Sequence, residues 1–165
     1  MQDFKKKFLK ITENKIIIFI LFLLIVFVSY NKLFNSYFEA DEWFAFTHFL
    51  PLVDKDYGFL DAIIKAFVDI DSLSRGLHII PISYEIFFLS VLLFGINFTP
   101  YALLSLLLHA VNSFLVFIFI KELFNSKKQN FKVIIFALLG GVFFALSQVH
   151  MHAVTWAAGY GQNVL

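Results

Sequence analysis

Polar and apolar positions along this chain fall into long blocks rather than a short alternation. No Asp, Glu, Lys or Arg occurs between Ile16 and Asn31, and the apolar block continues to Phe34. That is about the 20 residues a membrane-spanning helix needs. Two more blocks, 79–96 and 101–120, are divided by Gly95-Ile96-Asn97-Phe98-Thr99-Pro100, a strong breaker cluster. A last block runs from Val133 to Val149. Between the first and second blocks the period becomes helical. Phe59, Leu60, Ile63, Ile64, Phe67 and Val68 share one stripe, with Asp61, Lys65 and Asp69 opposite. This predicts an amphipathic helix over 59–70, suited to lying along a membrane interface.

Composition sharpens the picture. The chain is 60% hydrophobic and 15% charged, with 24 Phe among 165 residues; soluble domains carry about 25% charged residues. The fold class expected is an all-α membrane protein, a multi-span helical bundle with a long first extracytoplasmic loop carrying interfacial helices. There is no Cys, which excludes disulfides and thiol chemistry. The flank Val28-Ser29-Tyr30-Asn31-Lys32 lacks a small-residue cleavage pattern, so block 16–34 reads as an uncleaved anchor rather than a signal peptide.

Charge then orders the blocks. Residues 1–15 carry five lysines against two acids, a net of +3. Residues 31–76 carry four basic and eight acidic residues, a net of −4. Residues 121–132 carry four lysines against Glu122, again +3. Basic residues bias short loops to the cytoplasm, so the N-terminus and loop 121–132 are expected there, with the acidic segment outside. Three blocks lie between the two basic segments, where an even number of crossings is required. Block 79–96 is the weakest, because it holds Pro81 and Glu85. It reads as a helix dipping into the outer leaflet; the alternative is an ordinary spanning hairpin with 101–120, which puts the lysine loop outside.

The resulting plan has a basic cytoplasmic N-terminus (1–15), a transmembrane helix (16–34) and an extracytoplasmic loop (35–99). That loop includes amphipathic helix 59–70 and the dipping or transmembrane helix 79–96. A transmembrane helix (100–120), a cytoplasmic loop (121–132), a transmembrane helix (133–149) and the start of a second extracytoplasmic segment (150–165) follow. The protein is thus expected in the cytoplasmic membrane as a multi-pass protein.

Two stripes predict packing. Ala137, Gly141 and Ala145 recur every four residues, with Gly140 adjacent, which lets helix backbones approach closely. Ser105, His109, Asn112 and Ser113 form a polar stripe suited to hydrogen bonds with another span.

Candidate chemistry is sparse. No P-loop, G-x-G-x-x-G or G-x-S-x-G occurs. His150 and His152 lack a metalloprotease context, so no metal site and no cofactor is assigned. No basic, aromatic-interleaved groove points to nucleic acid. The stretch "FEADEWFAF", residues 38–46, does stand out: Glu39, Asp41 and Glu42 follow the first span directly. Trp43, Phe44, Phe46 and Phe49 read as an aromatic anchor at headgroup level, which would hold the acids at the membrane surface, facing outward. Asp41 and Glu42 could equally be an acid pair at the positive end of a helix starting near Trp43.

Two stretches carry a family resemblance. "HIIPISYEIFFLSVLLFGINFTPYALLSLLLHAVNSFLVFIFIKELF", residues 78–124, is similar to an L-F-G-x-N-P-x-x-Y-H-x-x-N-L-x-L-H-x-x-N run. "SQVHMHAVTWAAGYGQNVL", residues 147–165, is similar to H-P-V-H-x-E-A-V-x-W-x-A-G-R. Both resemble the N-terminal part of the GT-C class of membrane glycosyltransferases, in its protein O-mannosyltransferase-like branch. Ser147-Gln148 replace His-Pro, His152 stands where the pattern has Glu, and Tyr160 where it has Arg.

The resemblance implies a transferase that moves a sugar from a polyprenyl-phosphate donor to an extracytoplasmic glycan, lipid or protein acceptor. It implies Asp41 as the general base, with Glu42 second or supporting. It implies substrate contacts from Arg75, His78, His150, His152 and Trp156; for Arg75 and His78 an interfacial anchor is the equal alternative. Class members run to several hundred residues, so this chain is expected to be an N-terminal part, inactive alone. Two rivals remain: a non-enzymatic multi-span subunit for transport or assembly, and a metal-dependent class member.

Overall fold

The protein's architecture was taken from a computed structural model, which describes residues 2–38, 42–43, 46–47, 50, 60–61, 64, 81–124, 131–147 and 154. Every regular element among the described residues is helical: α1 (Gln2–Glu13), α2 (Lys15–Ser29), a 3-10 segment (Asn31–Asn35), α3 (Pro81–Phe94), α4 (Phe98–Phe124) and α5 (Phe131–Leu146). The all-α expectation holds for these residues.

α4 is the described helix long and apolar enough to cross a membrane by itself. Its 27 residues rise about 40 Å, against a hydrocarbon core of about 30 Å. It begins before and ends after the expected block 101–120, taking in Lys121 through Phe124. α2 has 15 residues and α5 has 16; at 1.5 Å per residue each rises about 22–24 Å.

The chain divides into two compact units. Unit 1 comprises 1–31 and 106–150; unit 2 comprises 32–105 and 151–165.

In unit 1, α1 packs on α2 and α5, and α2 packs on α5. The segment read as a bare basic N-terminus is thus a helix. Its axis over Lys7–Glu13 turns by 84° into Lys15–Ser29. Asn14 makes the corner. Its side-chain oxygen accepts from the amides of Ile16 (3.1 Å) and Ile17 (3.3 Å), capping α2, while its own amide donates to the Ile11 carbonyl. α2 stops as an α-helix at Ser29 rather than continuing to 34; Asn31 Nδ2 donates back to the Val28 carbonyl at 2.8 Å and the 3-10 segment follows.

The interior of unit 1 is small and aromatic. Ala137, Gly141 and Ala145 of α5 are all buried, as the spacing predicts. A Cβ on Gly141 would lie 2.5 Å from Phe22 Cζ of α2 and 3.1 Å from the Ser113 carbonyl oxygen of α4, so three helices meet there at backbone distance. The exterior is apolar: Ile16, Val28, Phe119, Leu139 and Phe143 are all more than 60% exposed. An apolar exterior of that extent suits lipid rather than water.

In unit 2, α3 ends where the breaker cluster predicts. Gly95 has φ +57°, and its amide donates to the Val91 carbonyl at 2.9 Å, the left-handed glycine stop of a helix. Asn97 then accepts from the Thr99 amide at 3.2 Å and opens α4.

Candidate functional site

The acid-rich stretch after the first apolar helix belongs to unit 2. Residues 42, 43, 46, 47 and 50 are helical. Side chains four apart share a face of a helix, and the exposures follow that rule: Glu42 and Phe46 are buried, Trp43 and Thr47 exposed.

Phe46 is 1% exposed and packs on Phe38 (4.6 Å between centroids) and Phe87 (5.2 Å). Phe38 in turn meets Phe98 at 5.0 Å and Tyr101 at 5.1 Å, both edge-on. Such edge-to-face pairs contribute about 0.5–1.5 kcal/mol each beyond their burial. Phe46 is therefore a core residue of unit 2 and not a headgroup anchor. Trp43 is half exposed, and its indole N–H donates to the Phe38 carbonyl at 3.2 Å. Phe44 and Phe49 lie outside the described residues.

Glu42 has no exposed surface. This corrects the expectation that it faces outward at the membrane surface. It sits in the fold with Phe46, and its carboxylate is within electrostatic reach of the Tyr101 phenol. Tyr101 is itself fully buried, and its hydroxyl donates to the Gly95 carbonyl at 2.7 Å. The acid, the phenol and the glycine stop of α3 are thereby linked. Burying a carboxylate is expensive unless polar partners surround it. Its place in the sequence, one turn before Phe46 on the same helical face, is what carries it inside.

Beside this core is a cavity of about 380 Å³, within the usual range for small-ligand sites. Its lining combines apolar Phe34, Phe38, Ile96 and Phe98 with Asn35, Ser36, Tyr37, Trp43, Asn97 and Thr99. Among the described residues, no charged side chain lines it. Amides, hydroxyls and two aromatic rings with exposed surface suit a neutral, hydroxyl-rich ligand better than an ion.

Of the residues expected from sequence to form the site, Glu42 is placed as described. Asp41, Arg75, His78, His150, His152 and Trp156 lie outside the described residues. Val154, in the same "SQVHMHAVTW" stretch, is buried at 1% exposure, and its carbonyl accepts the Ser105 hydroxyl within unit 2. Asn35, Ser36, Tyr37, Asn97 and Thr99 carry no site signal in the sequence. They form two short polar–aromatic clusters flanking apolar blocks, which read locally as breaker and flank. Among the described residues, no group of three His, Asp or Glu side chains is placed to hold a metal ion.

The polar stripe of α4 serves packing. In unit 1, His109 is 2% exposed; its Nε2–H donates to the Ala145 carbonyl of α5 at 3.1 Å. Its ring stacks on Phe144 and meets Tyr30 edge-on, each at 5.5 Å. Ser113 donates to the His109 carbonyl at 2.8 Å.

No protein-family model, no curated protein and no solved structure matches the chain.

Proposed function

We propose that this chain is the N-terminal, acceptor-side part of a GT-C-type membrane glycosyltransferase of the O-mannosyltransferase-like branch. It would move a sugar from a polyprenyl-phosphate donor to an extracytoplasmic acceptor. The observation that carries the reading is Trp43, which follows the acid pair Asp41–Glu42 in sequence, in the lining of a cavity of about 380 Å³ whose described lining residues are all uncharged. Aromatic faces and neutral hydrogen-bonding groups are what a sugar ring needs. Glu42 is fully buried. That favours Asp41 over Glu42 as the general base, with Glu42 in support. The donor phosphate needs cationic partners, and Arg75, His78, His150 and His152 are the proposed ones, with Trp156 on the sugar.

The multi-span plan belongs to the same reading: N-terminus and loop 121–132 cytoplasmic, 35–99 outside, in the plasma membrane. Pro81 and Glu85 within α3, and the glycine stop at Gly95, support a helix that dips rather than spans. Single cysteines at Ser126 and Ser72, exposed to an impermeant thiol reagent in intact cells, test it: labelling at 72 and not at 126 is expected. The reverse pattern refutes the topology.

The catalytic assignment is tested in membranes expressing the whole reading frame, with a radiolabelled polyprenyl-phosphate sugar. Asp41→Asn keeps the shape and removes the base, so turnover should fall by about 10² to 10⁴-fold at unchanged protein level. Glu42→Gln should cost turnover less. Near-normal transfer by Asp41→Asn assigns the pair to helix capping. A second reading, a non-enzymatic transport or assembly subunit, is favoured by the number of buried polar groups in unit 1 that serve packing alone; complete absence of sugar transfer would support it.

A further inference from the structure

We infer that α1 is an amphipathic strap that docks flat on an anionic phospholipid leaflet. The inference is independent of the transferase reading and requires only that the apolar helices of unit 1 reside in a bilayer.

The geometry comes first. α1 leaves α2 at 84°, so an α2 directed along the membrane normal places α1 in the plane of the surface. The corner is built rather than loose, because Asn14 caps α2 with its side chain and closes α1 with its amide. The inner face of α1 is seated on protein. Thr12 is 2% exposed and donates to the Leu9 carbonyl at 2.9 Å, and the Phe8 ring meets Phe131 of α5 edge-on at 5.4 Å. α1 therefore lies across the starting ends of both α2 and α5.

Charge and exposure then identify the occupant of the remaining surface. Lys5, Lys7 and Lys10 are exposed, as is Lys15 at the corner. Lys5 Nζ is 5.6 Å above the Phe131 ring, which leaves Lys7 and Lys10 to outside partners. On the flank beside Lys7, Ile11 is 50% exposed, and just past the corner Ile16 is 69% exposed. A soluble acidic partner would satisfy the lysines but not the two isoleucines. A sheet of phosphodiester headgroups over an acyl boundary satisfies both, with lysine stems snorkelling outward.

The chain has no Cys, so Ile11→Cys can carry a single nitroxide label in the full chain. The labelled protein is reconstituted into bilayer discs of phosphatidylcholine alone or with phosphatidylglycerol. Its accessibility to oxygen and to a water-soluble nickel chelate is then measured. With phosphatidylglycerol the label should be oxygen-accessible and shielded from the chelate, and added salt should release it. A lysine near an anionic surface is worth about 1 kcal/mol, so Lys7→Gln with Lys10→Gln should lower the docked-to-free ratio by roughly 30-fold. Lys7→Arg with Lys10→Arg should restore docking. Slower tryptic cleavage after Lys10 of the unlabelled chain in the anionic discs gives the same answer without a label. Equal chelate access in both lipids overturns the inference. So does shielding that the double Gln variant leaves intact, because Ile11 would then be covered by protein.

Discussion

Gly141→Ala is the sharpest test of how unit 1 is held together. The added Cβ would lie 2.5 Å from Phe22 Cζ, 2.8 Å from Phe22 Cε1 and 3.1 Å from the Ser113 carbonyl oxygen. Carbon atoms in contact sit about 3.5–4.0 Å apart, so the overlap with the ring is about 1 Å. The Phe22 ring is fully buried and has no solvent-side space to move into. On the other side the obstacle is backbone. Either α5 moves off α2 and α4, or the Phe22 ring is driven off its rotamer against Phe117, which it meets at 6.1 Å. Overpacking of this kind costs about 1–3 kcal/mol. The middle of that range, about 2 kcal/mol, lowers the folded-to-unfolded ratio by roughly 30-fold.

The assay is reversible unfolding of the purified chain in mild detergent by titration with SDS, followed by far-ultraviolet circular dichroism. Two companion variants make the cause specific. At Gly140 the nearest obstacle is the Cδ1 tip of Ile120, the free end of a flexible side chain, so Gly140→Ala should cost less than half as much. Phe22→Leu with Gly141→Ala removes the rigid ring, and the pair should be less destabilised than the sum of the singles by about 1 kcal/mol or more. A Gly141→Ala variant within about 0.5 kcal/mol of the parent, or strict additivity in the double variant, refutes the reasoning.

Other outcomes follow from single contacts. Gly95→Ala meets no atom within 4 Å of its new Cβ but keeps φ +57°, so its cost is purely conformational, about 1–2 kcal/mol. Gly95→Asn should recover part of it in the same SDS titration. His109→Phe keeps the ring contacts with Phe144 and Tyr30 but loses the bond to the Ala145 carbonyl. A loss of about 0.6–1.7 kcal/mol is expected, and an unchanged midpoint would show that the bond contributes nothing.

Local signals were legible and long-range ones were not. The breaker cluster 95–100 became Gly95 in a left-handed stop and Asn97 as a cap, because both effects are written in one or two residues. The four-residue spacing of Ala137, Gly141 and Ala145 gave the packing face of α5 for the same reason. In α1 the lysines dominate the local pattern and mask the helical spacing of Phe4, Phe8 and Ile11 among them. The burial of Glu42 is local only in its four-residue link to Phe46; that this face turns inward is not written nearby. It depends on Phe38, Phe46, Phe87 and Tyr101 coming together, and those rings are drawn from positions more than 60 residues apart. An acid beside a tryptophan at the exit of an apolar helix reads as a surface feature until those rings are assembled around it.

The buried polar side chains of both units are committed to backbone carbonyls, and that tells where chemistry is to be sought: in unit 2 Ser90 donates to Ile86, Tyr101 to Gly95 and Ser105 to Val154. In unit 1 the buried hydroxyls and imidazole donate to backbone carbonyls: Thr12 to Leu9, His109 to Ala145, Ser113 to His109. A buried polar group has no water to bond, so it is satisfied inside the fold. Groups so committed are poor candidates for binding a substrate. Unit 2 leaves Asn35, Ser36, Asn97 and Thr99 exposed around a cavity while burying Glu42 beside it. Exposed amides and hydroxyls of that kind need water or a polar ligand. Substitutions in unit 1 should therefore read out as stability, as Gly141→Ala does. Substitutions of lining residues that cap no helix, such as Ser36 and Thr99, should leave unfolding nearly unchanged and, on the proposed reading, alter ligand affinity. A cavity variant such as Asn97→Asp sits at a helix start, where a carboxylate caps as well as an amide does. It isolates the added negative charge from any loss of the cap, and a neutral sugar-like ligand should tolerate it better than a phosphate would.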